Sequence, residues 1–189
     1  MNIQQKSQSD TAKQVFAVLR TGDPQLARRV AHPEFRNREA SVSPSAASLP
    51  GTAGLLASSA WMRHAFSELD FVVTETAESA DFVWIRLRMT GVHSGAFVQY
   101  KNGELAQAVP PTGRLIDVEQ IHILEMREGL VVGHEAVRDD VTMLGQLGVF
   151  PPSPAVALRM LAWTVFGLAK KAATEVSAKA DLAAQAAAG

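Results

Sequence analysis

PTGRLIDVEQIHILEMREGLVVGHEAVRDDVTMLGQLG, residues 111–148, is the stretch on which the fold turns. Two β-rich runs, Leu115 to Met126 and Leu130 to Val141, flank Arg127, Glu128 and Gly129, the pattern of a β-hairpin. Its strands carry Glu119, His122, His134 and Glu135 and leave through Asp139 and Asp140. Burying a charge or an imidazole without a partner costs several kcal/mol. Either this hairpin lines a pocket or its polar face is wet.

Upstream, Asp70 to Thr76 and Phe82 to Thr90 are rich in Val, Ile, Phe and Thr and read as antiparallel strands across the turn-like AESAD. Alternation puts Val83, Ile85, Leu87 and Met89 on one face and Trp84, Arg86 and Arg88 on the other. Gly91 to Phe97 marks a bend, and Gln99 to Pro110 reads as a loop with Lys101, Asn102 and Gly103 at its tip. Before the strands the period is helical. Ser7 to Arg20 spaces Ala12, Val15, Phe16 and Leu19 on one face, with Ser9 or Asp10 as N-cap. Pro24 opens a second helix that His32 and Pro33 end. Ser41 to Gly54 has no period, and a third helix runs from about Gly54 to Ser67, burying Leu55, Leu56, Trp61, Met62 and Phe66. Three helices followed by a four-stranded antiparallel meander predict an α+β domain with helices against one side of a curved sheet.

The C-terminal tail differs. After Pro151, Pro152 and Pro154, the nearly unbroken apolar run from Ala155 to Ala169, about 15 residues, is shorter than the roughly 20 a membrane span needs. From Lys170 the chain turns Ala-rich and remains a strong helix former. A helix packed on its own domain or a partner subunit is the first expectation, ahead of a membrane-surface helix or partial disorder. The expected division is thus 1–150 as the α+β domain and 151–189 as a helical extension.

Composition narrows the function classes. With 47% hydrophobic and 20% charged residues the chain can bury a sizeable core. Its 18 Lys and Arg lie scattered among 19 Asp and Glu, giving a formal charge of −1, so nucleic acid is not an expected partner. The lack of cysteine removes disulfides, thiolate metal sites and thiol nucleophiles. The N-terminal MNIQQKSQSD has neither the basic nor the apolar region of a secretory signal, which makes the cytoplasm the expected location.

Several short motifs occur in a particular order: Thr21-Gly22-Asp23; His-Pro-Glu-Phe-x-Asn from His32 to Asn37; Gly-x-His-x-Gly from Gly91 to Gly95; Pro-Thr-Gly-Arg from Pro111; Glu-Gln-Ile-His from Glu119 to His122; and the closing run from Asp139 to Gly148. In that order and spacing they resemble the SnoaL-like polyketide cyclase family over about residues 9 to 150, leaving the tail outside. The resemblance implies the cone-shaped α+β fold shared with nuclear transport factor 2 and ketosteroid isomerase, in which a bent sheet and three helices enclose a deep pocket. It further implies ring closure of a polyketide by intramolecular aldol chemistry, without metal, Schiff base or other cofactor, on a hydrophobic polycarbonyl small molecule. Fold alone does not fix the reaction. A non-catalytic carrier of a lipophilic metabolite, and a hydratase, dehydratase or epoxide hydrolase, stay open as alternatives.

By the same resemblance His122 takes the place of a strand histidine that acts as proton donor or enolate partner. The family's segment similar to His-Arg-Asp-Trp-Pro-Asp corresponds to His134 through Asp139, so Ala136 stands where its first aspartate would be and Asp139 matches the second. His122 and Asp139 are therefore the expected catalytic pair, with Asn37, Trp61, Phe66, His93, Glu119 and His134 as expected substrate contacts. Each has a plainer reading. His122, His134 and His93 would serve equally as hydrogen-bonded structural histidines, Asp139 and Asp140 as helix caps, Glu119 as the partner of Arg86 or Arg88, and Asn37 as a turn closer. Glu135 points to the opposite face of its strand from Ala136 and cannot replace the missing carboxylate without a bulge. His122, His134 and Glu135 lack a tight ligand spacing, so no metal is expected. The exposed sheet face and the apolar tail suggest a homodimer and no stable membrane insertion.

Overall fold

The computed structural model describes residues 7–187; the first six residues read above for a secretory signal lie outside the described residues. Helix α1 (Gln8–Thr21) starts where the Ser7 hydroxyl accepts the Asp10 N–H and ends at Gly22, whose left-handed backbone returns its N–H to the Val18 carbonyl. The N-cap is thus Ser7 rather than Ser9 or Asp10. Asp23 then caps α2 (Pro24–Val30) by accepting the N–H groups of Gln25 and Leu26. Helix α3 (Gly51–Ala65) follows two short 3-10 turns, Ala40–Val42 and Ser45–Ser48, that fill the aperiodic segment.

The sheet is larger than the expected meander. Strands β2 (Phe66–Glu78), β3 (Phe82–His93), β6 (Leu115–Arg127) and β7 (Leu130–Arg138) are joined by β1 (Ala31–Asn37), in the order β1-β7-β6-β3-β2. Strand β1 pairs parallel to β7 and contains His32-Pro33, so this dipeptide both ends α2 and lies in a strand. Proline is tolerated there because β1 is an edge strand, and the pairing skips between Ala31 and Arg36. The segment read as a loop between Gln99 and Pro110 is a separate hairpin of β4 (Phe97–Lys101) and β5 (Glu104–Val109). Its tip lies where expected, with Asn102 (φ 55°) and Gly103 (φ 80°) both left-handed, as a tight hairpin turn demands.

Alternation holds along the main sheet. Val83, Ile85, Leu87 and Met89 are buried on the inner face of β3, while Ile116, Val118, Gln120, His122 and Leu124 face inward from β6. The outer face carries Arg86 paired with Glu119, and Arg88 paired with Asp117. Helices α1 to α3 close over the inner face, giving the cone-shaped α+β architecture with a curved sheet.

Beyond α4 (Asp140–Leu147), the tail forms two helices, not one run. Helix α5 (Pro154–Val165) ends before Gly167, whose left-handed φ of 72° starts α6 (Leu168–Gln185) in a new direction. Ala169, Ala172, Ala173 and Val176 of α6 join the core, and Ala180 and Ala184 pack with Ala57 of α3. The Tyr100 hydroxyl donates to the Ala173 carbonyl at 2.9 Å, tying α6 to β4. Helix α5 instead leaves Leu158, Leu161 and Val165 exposed. Among the described residues no helix is long and apolar enough to cross a membrane.

Candidate functional site

The inner ends of β1, β6 and β7 meet α1, α3 and α4 around a cleft whose walls are apolar: Val15, Phe35, Leu55, Phe71 and Phe97, with Met62, Met89 and Met143. Trp61 forms part of the same wall, held in place by its Nε1–H donating to the Val98 carbonyl at 2.8 Å and by stacking on Phe97. The cavity as it stands holds about 80 Å³. That is below the roughly 300–1,000 Å³ of pockets for drug-sized ligands. A multi-ring guest therefore requires the wall to yield, and unbranched methionine side chains are the ones that repack most readily.

Across this apolar lining runs a continuous file of hydrogen bonds. The Ser58 hydroxyl donates to the Gly54 carbonyl (2.8 Å) and accepts from Asn37 Nδ2 (3.1 Å). Asn37 Oδ1 accepts the backbone N–H of Glu39 (3.0 Å) and lies 3.0 Å from His134 Nδ1. His134 Nε2 is 2.8 Å from His122 Nδ1, and His122 Nε2 is 2.9 Å from Gln120 Oε1. The strand register produces this arrangement. Asn37 lies beside His134 across β1 and β7, while His122 lies opposite Ala136 across β6 and β7, one inward position along from His134. The two imidazole planes differ by only 10°, and the Phe16 ring packs edge-on to His122 at 4.8 Å.

The direction of the file can be worked out. Glu39 N–H fixes which end of the Asn37 amide is oxygen, so His134 Nδ1 must be a donor. Only one proton fits between the two imidazoles. When both rings are neutral, His122 Nδ1 donates to His134 Nε2 and His122 Nε2 is a bare lone pair; the Gln120 amide then has to present its NH2 end. With Gln120 Oε1 facing His122, the pair carries one extra proton. Burial, first of all, and then the positive charges of His134 and Arg138 hold His122 well below an imidazole's ordinary range. Burial and Arg138 lower His134 to about 4. Near neutral pH the resting pair is therefore uncharged, and its extra proton is readily given up.

The expected site residues fall into two groups. Asn37, Trp61, His122 and His134 line the cleft. Phe66 does not: it is core, packed against His93 and Phe97. His93 is fully buried at the β3 bend, where its Nδ1 accepts from the Thr112 backbone. Glu119 points to the outer face and pairs with Arg86. Asp139 also leaves the site: both of its oxygens are engaged by Thr142, at the start of α4, where they serve as its cap. The expected partnership of His122 with Asp139 is thus replaced by that of His122 with His134.

Gln120, Glu39 and Arg138 line the cleft and were missed. Gln120 was within reach of the period-two rule, since residues two apart on a strand share a face; the Glu-Gln-Ile-His motif sends Gln120 and His122 inward and Glu119 outward. Glu39 comes from an aperiodic segment and gave no signal. Its Oε1 accepts the Ala136 N–H at 3.1 Å, and its Oε2 lies 3.4 Å from Arg138 Nη2. Glu135, on the outward side as expected, pairs with Arg38. Among the described residues no cluster of three or more His, Asp or Glu is placed to hold a metal ion.

Comparison with known proteins agrees with this fold. Residues 9–147 match the family described as SnoaL-like polyketide cyclase. The chain is 27% identical over 150 residues to aklanonic acid methyl ester cyclase DnrD of Streptomyces peucetius, covering 78% of this chain and 95% of that one. Among solved structures it is similar to TsrD of Streptomyces laurentii (TM-score 0.62, 22% identity, 78% of this chain and 99% of the other). It is likewise similar to IdmH, a putative polyketide cyclase of Streptomyces antibioticus (TM-score 0.57, 26% identity, 76% and 99%).

Proposed function

This chain belongs to the SnoaL-like polyketide cyclase family, and from that premise we propose that it closes a ring in a hydrophobic polycarbonyl substrate by cofactor-free acid/base chemistry, with His122 as the group that exchanges a proton with the reacting oxygen. The observation that carries this reading is the His134–His122 pair ending in the apolar cleft. Intramolecular aldol closure moves one proton off a carbon between carbonyls and puts one on the carbonyl oxygen that becomes a hydroxyl. An imidazole serves the second task well when its other nitrogen is locked, because its proton then points one way only. In the protonated pair His122 Nε2–H donates where Gln120 Oε1 now accepts, and a substrate oxygen taking that place would receive the proton. Desolvation makes the donor strong, and a developing alkoxide in the low-dielectric cleft supplies the charge it lacks at rest. Apolar walls hold the chain folded and keep water from the enolate.

Aklanonic acid methyl ester, the substrate named for the relative from Streptomyces peucetius, is the first probe. His122→Ala should lower ring closure of this probe, or of a polyketide methyl ester of the same class, by roughly 10²-fold or more while the protein still folds. A variant that binds the probe and closes it at the wild-type rate sinks the assignment. Wild-type protein that binds the probe without ever converting it marks a carrier instead.

A further inference from the structure

As the acid for the oxygen, the singly protonated pair leaves the other half of the reaction without an owner. Lifting a proton from carbon calls for a group that can keep it, and both imidazoles resist a second proton because they are buried and face Arg138. Asp139, turned toward Thr142, is out of reach. Two carboxylates remain among the described residues that line the cleft, Glu39 and Asp140. Asp140 lies in the first turn of α4 with half its side chain exposed, 3.5 Å from Arg138 Nε. Glu39 is held more firmly, with 23% of its side chain exposed beside an Arg138 that is 26% exposed.

The position of Glu39 follows from where β1 stops. Up to Arg38, whose N–H reaches the His134 carbonyl at 2.9 Å, the edge of β7 is covered by main chain. One step further the main chain turns away into the 3-10 turn, and the Glu39 carboxylate takes over, accepting the N–H of Ala136. Ala136 is the residue paired across the sheet with His122. The backbone N–H of Glu39 also sets the Asn37 amide, so one short turn fixes both the carboxylate and the polarity of the histidine file.

The geometry points to Glu39 as the carboxylate base of this cleft, the group that removes the carbon-bound proton while the His134–His122 pair serves the oxygen. This rests on the reading of His122 given above. In the step, a Glu39 oxygen takes the proton from the carbon flanked by carbonyls, and the C–H electron pair becomes the enolate. That carbon then bonds to the acceptor carbonyl carbon, whose C=O π pair moves to oxygen, and the oxygen takes the Nε2 proton of His122 from a pair that has first taken one proton from solvent. The proton on Glu39 returns through solvent to the pair, so the net reaction is an isomerisation with no redox change and no co-reactant. Each carboxylate oxygen already has one partner, Ala136 or Arg138, and retains a lone pair for the substrate.

The two halves separate in deuterium exchange. Wild-type protein incubated in D2O with aklanonic acid methyl ester should introduce deuterium at the acidic carbon, followed by NMR, and close the ring. Glu39→Gln, which keeps an oxygen for the Ala136 N–H, should reduce exchange at least 100-fold with the melting temperature and ester affinity near wild type. Glu39→Asp, retaining the charge on a shorter arm, should recover part of it. His122→Ala should lose ring closure while still exchanging. Arg138→Gln should cost exchange less than 10-fold. Were Glu39 only the structural partner of Arg138, the two single variants would lose exchange equally, and that result overturns the proposal. Exchange by Glu39→Gln within threefold of wild type also overturns it while leaving the role of His122 standing; a wild type that neither exchanges nor closes the ester defeats both.

Discussion

Two places in this molecule bury histidine, and they treat it in opposite ways. At the base of the cleft His134 and His122 are joined by hydrogen bonds on every ring nitrogen, in a file that begins at the Gly54 carbonyl. At the β3 bend His93 is even less exposed, yet only its Nδ1 is hydrogen-bonded, and its Nε2 has no partner among the described residues. Burial lowers the pKa in both places, to about 4 for His93 as for His134. Depressed basicity therefore does not mark the functional site here. What separates the two is connection: one file opens on a cleft that holds a carboxylate and a guanidinium, and the other ends against the Phe66 ring.

Substitution should divide the two by readout. His134→Ala frees His122 to choose either tautomer and should cost ring closure roughly 10²- to 10⁴-fold, measured as kcat on the polyketide ester. His93→Ala should leave kcat within threefold and instead cost about 2–4 kcal/mol of stability in denaturant melts, because it opens a hole between Phe66 and the Thr112 turn. Equal kcat losses in both variants would erase the distinction. Acid then tests what the two places share. In the unfolded chain an imidazole takes up a proton near pH 6.5, whereas folded His93 and His134 wait until about 4. The unfolded state thus binds more protons between those values, and stability should fall as pH drops from 6.5 to 4, by at most about 1.4 kcal/mol per pH unit for each ring. The slope should be shallower in His93→Ala. A denaturation midpoint flat from pH 7 to 4.5 contradicts this account. The smallest effect belongs to the outer face, where Glu119→Ala removes an exposed partner of Arg86 and should change stability by under about 1 kcal/mol and turnover not at all.

The sequence made the inner wall legible because it is periodic. Val83 through Met89 alternate without a break, and the hairpin turn at Glu128 and Gly129 falls between two β-rich runs, so strands, faces and the inward placement of His122 could be read in advance. Other features obey no period. Strand β1 hides behind Pro33 and joins β7 over only part of its length. The β4–β5 hairpin alternates weakly, with Gln99 and Gln107 facing each other, and looks like loop. Gly167 breaks a helix-forming run through its backbone alone. Asp139, outside the cleft, has a simpler role than its motif implied: a carboxylate at a helix start is attracted by the free N–H groups there, and this one turned to Thr142. Glu39 was hidden for the opposite reason, since its place depends on where a neighbouring strand ends.

Asn37 and His134 stand 97 positions apart in the chain, yet the bond between them sets the polarity of everything that follows in the file. Such a contact closes a very long loop, and it gains nothing until that entropy has been met. Neither half of the chain can hold the relay alone. Recovery of turnover during refolding should consequently trail the return of strand and helix signals, making catalysis the late reporter of topology.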